Sequence, residues 1–124
     1  MLGASMFLSV IALLLANMAS AVALPLCNGN YHDPCFGVYL WPDGVKYVGD
    51  IRRNKKHGNG ITNWPDGAKY AGEYRDGYKH GQGTMFWADG VVWVGQWRDD
   101  EWVSGDQYTE GEAPPNVMTL FNKD

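Results

Sequence analysis

The chain has 124 residues and a net charge of −4, with 14 acidic and 10 basic side chains. This length allows one small domain. The acidic balance disfavours a nucleic-acid partner, because binding to a phosphate backbone depends on clustered cations. The chain has only two cysteines, so it can form at most one internal disulfide.

The N-terminal segment predicts export. Residues 1–26 carry no charged side chain, residues 6–15 form an apolar core, and residues 21–23 (Ala-Val-Ala) fit a small-x-small cleavage site. We therefore expect residues 1–23 to be a signal peptide and the secreted or extracytoplasmic chain to begin at Leu24. The alternative is an uncleaved membrane anchor within residues 1–24, because the apolar stretch is just long enough to span a bilayer.

Cys27 and Cys35 follow the leader and are separated by seven residues. An export signal with an even number of cysteines favours a disulfide between them. We expect residues 24–36 to form a cap over the edge of the first repeat, since the terminal repeats of an array need protection. Two free thiols are the alternative. A zinc site is excluded, because only His32 lies near enough to add a ligand.

Residues 37–105 repeat with a period of 23 residues, as units 37–59, 60–82 and 83–105. Each unit has a run of residues, a turn with the sequence Trp-(Pro/Ala)-Asp-Gly and a second run. Proline, aspartate and glycine each favour such a turn. After the first turn, Tyr47, Gly49 and Ile51 alternate with polar or smaller residues, a period of two that predicts a strand. Each unit is therefore predicted to be a β-hairpin, and stacked hairpins should align equivalent aromatic residues in columns.

The pattern G-x-x-x-W-P-D-G-x-K-Y-x-G-[DE]-[IY]-R, closed by H-G-x-G, resembles the MORN repeat (membrane occupation and recognition nexus). The third unit keeps the hairpin and lacks the closing His-Gly-x-Gly. The resemblance implies an all-β fold, an elongated single-layer antiparallel sheet of three tandem hairpins. It also implies a non-enzymatic role in tethering or scaffolding. The repeat-defining residues are Trp41, Asp43, Gly44, Tyr47, Gly49, His57, Gly58, Gly60, Trp64, Asp66, Gly67, Tyr70, Gly72, His80, Gly81, Gly83, Trp87, Asp89, Gly90, Trp93 and Gly95.

The glycines that follow each second run, Gly58 and Gly60 and then Gly81 and Gly83, are expected at a tight corner leading into the next hairpin. A second recurring feature is a column of arginines at 52, 75 and 98. We expect these arginines to pair with nearby carboxylates such as those of Asp50, Glu73 and Asp76.

One basic cluster is expected in the loop between the first two hairpins: Arg52, Arg53, Lys55 and Lys56. Such a cluster could bind an anionic phospholipid headgroup. The alternatives are a solvated connector or a contact with the acidic end of another copy. The contact between copies is suggested by the net charge of the repeats, which changes from +3 in residues 37–59 to −3 in residues 83–105.

The sequence does not favour an enzyme. His57 and His80 occupy one repeat position, and Asp43, Asp66 and Asp89 are each required by a turn, so the fold explains all five. No cofactor, metal or small-molecule substrate is expected. After leader removal the one serine is Ser104, and no histidine and carboxylate surround it in sequence.

The chain from Val103 onwards is acidic and contains glycine and proline, which predicts a linker, and residues 106–124 form an acidic tail. Its apolar residues Val117, Met118, Leu120 and Phe121 are expected to return and cover the open end of the sheet. A short docking element is the alternative.

The sequence therefore predicts an exported interaction module that binds a protein partner or associates with itself. Binding to anionic lipid is a second hypothesis, and a small secreted hydrolase is a third.

Overall fold

The computed structural model describes residues 23–119. Residues 1–22 of the predicted leader (1–23), together with Leu120 and Phe121, lie outside them. The described chain forms a single antiparallel sheet whose seven strands lie in sequence order. The strands are β1 (Cys35–Leu40), β2 (Lys46–Arg52), β3 (Lys55–Asn63), β4 (Lys69–Arg75), β5 (Tyr78–Phe86), β6 (Val92–Arg98) and β7 (Glu101–Tyr108). The prediction of an all-β, single-layer antiparallel sheet is confirmed.

The first kind of turn has the sequence Trp-(Pro/Ala)-Asp-Gly and joins β1 to β2, β3 to β4 and β5 to β6. At the first of these turns, the backbone N–H of Val45 donates to Asp43 Oδ1 over 3.1 Å and that of Gly44 donates to the Trp41 carbonyl over 3.0 Å. Gly44 has φ = +92°, a conformation that suits glycine. The same bonds recur at the other two turns, so each aspartate has the turn role that its sequence position predicted.

The second kind of turn has two residues and joins β2 to β3, β4 to β5 and β6 to β7. Its residues are Arg53-Asn54, Asp76-Gly77 and Asp99-Asp100, and all six have positive φ. Two positive φ values are typical of type I′ hairpin turns. The sheet is therefore a continuous meander. The expected corner at Gly58, Gly60, Gly81 and Gly83 is wrong, because these four residues lie inside β3 and β5.

Glycines occupy one register row across all seven strands. The row consists of Gly37, Gly49, Gly60, Gly72, Gly83, Gly95 and Gly105. A Cβ atom at Gly60 would overlap the ring of Tyr47, and one at Gly83 would overlap the ring of Tyr70. The glycines leave the space in which the tyrosine rings lie flat over the neighbouring strand.

The core lies on one face of the sheet, called the aromatic face below. Its side chains include the fully buried Tyr47 and Tyr70, and the tryptophans of the first kind of turn pack against them. Ring contacts join different repeat columns: Tyr70 meets Tyr74 at 5.1 Å and Trp97 at 5.5 Å between ring centroids. Equivalent residues therefore share this face, and their rings interlock across columns.

Bulges in β3 and β5, opposite Asp50 and Glu73, explain two repeated acidic residues. The sheet register shifts at Asp50 and at Glu73. Asp50 Oδ2 accepts the backbone N–H of Asn59 over 3.0 Å, and Glu73 Oε2 accepts that of Gln82. The expected pairing of the arginine column with these carboxylates is wrong, because within residues 23–119 none of the three arginines lies within 4 Å of a carboxylate oxygen. The close contact between a basic and an acidic side chain found there is that of His57 Nδ1 with Asp76 Oδ1 at 3.6 Å.

The N-terminal segment covers the β1 edge. A disulfide joins Cys27 to Cys35, with the two Cα atoms 5.0 Å apart. The N–H of Cys27 donates to the Phe36 carbonyl, and the N–H of Phe36 donates to the Pro25 carbonyl, both over 2.8 Å. A disulfide-closed segment thus lies beside the first strand, as the sequence predicted.

The C-terminal part differs from its prediction. Residues 103–108 were expected in a linker, but they form most of β7, in which Gly105 pairs with Gly95. The helix α1 (Pro115–Met118) follows. Ala113 and Met118 line a small cavity with Phe86 and Val92 on the face opposite the aromatic face, called the second face below. Among the described residues, no helix is long and apolar enough to cross a bilayer.

Candidate interaction surfaces

Two lysines project onto the aromatic face and lie among rings. Lys56 Nζ is 5.5 Å from the ring centroid of Trp41, 5.8 Å from that of Tyr47 and 4.9 Å from that of Tyr74. Lys79, one repeat later, makes the equivalent contacts. Its Nζ is 5.8, 5.8 and 5.2 Å from the ring centroids of Trp64, Tyr70 and Trp97, respectively. Each ammonium therefore faces three aromatic rings, which attract it through cation–π interactions.

Burial lowers the pKa of both lysines. For Lys56, burial is the main cause, the Asp100 carboxylate opposes the shift, and the charge of Lys79 adds to it. For Lys79, burial again dominates and Asp100 opposes it. Burial thus disfavours the charged form of both lysines, and the rings offset part of that cost through cation–π attraction.

The position of Lys56 changes the predicted basic cluster. Arg52 and Lys55 are a pair across the first two-residue turn, and Arg53 lies in that turn. These three side chains are exposed, whereas Lys56 is half-buried on the aromatic face. The structure therefore presents three exposed cations at a tight turn and separates the fourth from them.

The second face exposes an apolar patch over β1–β3. Its most exposed members are Val38 at 53% and Leu40 at 67%, followed by Phe36 and Ile61 at about 40%. A shallow groove on the same face is lined by Phe36, Val48 and Ile61. By contrast, Val92, on β6 of this face, is 1% exposed beside the C-terminal segment. The second face is thus covered at its C-terminal half and open at its N-terminal half.

Charged residues flank this patch in two parallel rows. The central row pairs Val38, Val48, Ile61 and Ala71 across β1–β4. Two residues away along β2 and β4, toward the Trp-Pro-Asp-Gly turns, lie Lys46 and Lys69. Two residues away in the other direction lie Asp50 and Glu73. Because side chains alternate along a strand, all these residues share the second face.

The repeated histidines have different surroundings. His57 Nδ1 accepts the backbone N–H of Asp76 over 3.3 Å, at the second two-residue turn. His80 Nδ1 is buried, and within residues 23–119 it has no hydrogen-bond partner. No group of three histidine, cysteine or acidic side chains that could hold a metal ion occurs among the described residues.

Comparison with protein families gives one match. The family model of the MORN repeat matches residues 36–46, 47–69 and 70–92. These three segments are tandem MORN repeats. A search of the curated proteins finds no match to the chain.

The second and third matched MORN segments keep the 23-residue period and begin in the strand after the first kind of turn, whereas the segment 36–46 covers most of β1 and the first such turn. In that frame, one repeat comprises a strand, a two-residue turn, the next strand and the Trp-Pro-Asp-Gly turn. MORN repeats are modules typically involved in interactions, and this all-β scaffold is a known type of non-catalytic module.

Sequence reasoning missed the two lysine sites, although a signal for them was present. Lys56 and Lys79 are 23 residues apart, like the tryptophans above which they lie. The apolar patch gave a weaker signal, because Val38, Val48 and Ile61 become neighbours only through the strand register.

Proposed function

We propose that this MORN protein is an exported, non-catalytic interaction module that associates with a second copy of itself through the second face. The observation that carries the proposal is the open apolar patch on β1–β3 with its flanking rows of opposite charge. Apolar patches of this kind, rimmed by polar residues, typically mark protein interaction sites. The disulfide between Cys27 and Cys35 supports export, since such bonds persist in oxidising compartments.

The flanking charges favour a second copy as the occupant. Two sheets can pack face to face about a two-fold axis that runs along the central apolar row. This rotation sets the lysine row of one copy opposite the carboxylate row of the other, so that Lys46 faces Asp50 and Lys69 faces Glu73. The same operation sets Leu40 opposite Phe36. One patch is therefore complementary to itself, as an isologous interface requires.

Binding to anionic lipid is less well supported. The headgroup hypothesis relied on four cations at one loop, and Lys56 is turned onto the aromatic face. The three exposed cations, Arg52, Arg53 and Lys55, would contribute about 1 kcal/mol each near an anionic membrane. The hydrolase hypothesis has no supporting observation: Ser104 lies in β7 opposite Gln96.

Sedimentation equilibrium of the purified, oxidised chain tests the proposal. We expect a concentration-dependent dimer that Ile61→Glu abolishes, because the substitution places a charge in the centre of the patch. Val103→Glu is the matched control, since Val103 is also an exposed β-branched residue, 47% accessible, but lies on β7. Lys46→Glu combined with Lys69→Glu should also give a monomer, because both flanking rows then carry the same sign.

A chain that stays monomeric at every concentration would overturn the proposal, as would a dimer that Ile61→Glu leaves intact. Flotation with phosphatidylserine vesicles then decides the alternative. Salt-sensitive flotation that is lost in the triple variant Arg52→Glu, Arg53→Glu and Lys55→Glu would assign lipid binding to the first two-residue turn instead.

A further inference from the structure

The aromatic face contains a pocket beside the N-terminal segment, with a volume of about 380 Å³. This volume falls within the range of small-ligand sites, about 300–1,000 Å³. Four rings and two cations line the pocket: Tyr31, Tyr39, Trp41, Tyr47, Lys55 and Lys56. It is called the cap pocket below. It lies on the opposite side of the sheet from the apolar patch, so association through the second face leaves it open.

The disulfide-closed segment fixes one wall of the cap pocket. The N–H of Asn54 donates to the Tyr31 carbonyl over 2.8 Å, and the N–H of Arg53 donates to the His32 carbonyl over 2.7 Å. These bonds hold Tyr31 beside the first two-residue turn. The equivalent turns bond to the carbonyls of Lys56 and Lys79. The segment therefore takes the place of a preceding repeat at this position.

The ring walls are held by contacts with one another. The Tyr31 and Tyr39 rings meet edge to face at 5.8 Å, and the Tyr39 and Trp41 rings are 4.6 Å apart. Tyr39 nevertheless remains 41% exposed. Partly exposed rings that support each other offer flat apolar surfaces at little cost in side-chain entropy.

The charge among the residues that line the cap pocket is positive. Lys55 and Lys56 both line it, and no lining residue is acidic. Within residues 23–119, no carboxylate oxygen lies within 4 Å of either ammonium. The equivalent of Lys55 in the next repeat is Tyr78. The exposed lysine beside the cap pocket is therefore particular to this end of the sheet.

We propose that the cap pocket binds a small organic anion built on a six-membered ring, with the ring against Tyr39 and Trp41 and the anionic group at Lys56. A carboxylate or sulfate can accept a charge-assisted hydrogen bond from the Lys56 ammonium. The flat faces of an acidic sugar or of an aromatic acid would fit the ring walls equally well. This site is independent of the self-association proposed above.

Titration of the purified, oxidised chain followed by ¹H–¹⁵N NMR tests the proposal. One arm uses glucuronate against neutral methyl glucoside, and a second uses benzoate against benzyl alcohol, so that the two arms separate a sugar from an aromatic ligand. Inorganic phosphate is the control for charge alone. We expect saturable shifts at the amides of Tyr39, Asn54 and Lys56 with at least one of the two ring anions and not with its neutral partner.

Two matched variants give the proposal its sharpest test. Lys56→Met should weaken binding at least tenfold, whereas Lys79→Met should change it less than twofold. Both variants remove the same three-ring cation–π contact, so a general effect on the fold would appear in both. Four results would overturn the proposal: no saturable shift with either ring anion, equal shifts with the neutral compounds, equal shifts with phosphate, or equal losses in the two variants.

Discussion

The glycine row makes a prediction about how the core is built, and Gly60 is its sharpest test. A Cβ atom at Gly60 would overlap the ring of Tyr47, which is fully buried and whose hydroxyl donates to the Asp50 carbonyl over 2.6 Å. The φ of Gly60 lies outside the left-handed region, so alanine meets no backbone strain there. Any cost of Gly60→Ala therefore comes from the contact with the ring.

The magnitude follows from the two interactions that the ring would lose. Overpacking a filled core costs about 1–3 kcal/mol, and displacement of the Tyr47 hydroxyl would lose a hydrogen bond worth about 1 kcal/mol. Replacement of glycine by alanine in a strand raises the free energy of unfolding by about 0.5–1 kcal/mol. We therefore expect Gly60→Ala to lower the free energy of unfolding by about 2 kcal/mol, a large share of the ~5–15 kcal/mol of a small domain.

Urea denaturation followed by tryptophan fluorescence measures this cost in two backgrounds. In a Tyr47→Leu background the ring is absent, so Gly60→Ala should cost less than about 0.5 kcal/mol, and the coupling should be near 2 kcal/mol. Gly67→Ala is the control, because Gly67 has φ = +94° and a Cβ atom there would meet nothing within 4 Å beyond its chain neighbours. Its cost of about 1–2 kcal/mol should be the same in both backgrounds. Equal costs for Gly60→Ala in the two backgrounds would refute the reasoning.

Three further predictions concern ionisation, the N-terminal segment and the turns. Burial raises the pKa values of Tyr47, Tyr70 and Tyr74 above the ordinary value of about 10. Their contribution to stability is therefore complete below about pH 10 and is lost as the pH rises further. The lowered pKa values of Lys56 and Lys79 act in the opposite direction. The melting temperature should fall between pH 10 and 12, and a flat profile would contradict this. Reduction of the disulfide should lower the free energy of unfolding by about 2–3 kcal/mol, because it opens the loop between two cysteines with a sequence separation of 8. Hydrogen exchange should accelerate in β1 and stay unchanged in β7; equal acceleration in both would argue against a local cap. Asp66→Ala should cost about 1 kcal/mol through the lost bond to the Ala68 N–H. Asp66→Asn keeps an acceptor, so thermal melts that show equal losses for the two variants would count against the bond.

The turn chemistry could be predicted from sequence because it is local. Asp43 and Gly44 form their bonds within five residues, so the Trp-Pro-Asp-Gly pattern alone predicted the conformation. The glycines of the second runs could not be placed in the same way. Gly60 is explained by the ring of Tyr47, which reaches it only through the pairing of β2 with β3. From the sequence alone, with the strand pairing unknown, a glycine after a charged run indicated a corner between hairpins.

The basic cluster shows the same limit at the candidate sites. Consecutive charges from Arg52 to Lys56 favoured an exposed loop. The structure has a two-residue turn at Arg53 and Asn54, so the following residues are already in β3. Strand alternation then sends Lys56 to the aromatic face. The deciding feature was the length of the turn. A two-residue turn with two positive φ values places Lys56 in β3, and the run of charges did not indicate so short a turn.

The two ends of the sheet are protected in different ways, and this difference accounts for where the candidate surfaces lie. The N-terminal segment pairs with the edge of β1 and supplies the Tyr31 carbonyl that a preceding repeat would supply. It contributes no further Trp-Pro-Asp-Gly hairpin, so the band of aromatic rings ends there and leaves the cap pocket. The C-terminal segment instead packs on the second face, near Phe86 and Val92. The N-terminal segment therefore covers an edge of the sheet, and the C-terminal segment covers part of one face. The second face therefore stays open over β1–β3, and both surfaces lie in the same half of the molecule, on opposite sides of the sheet.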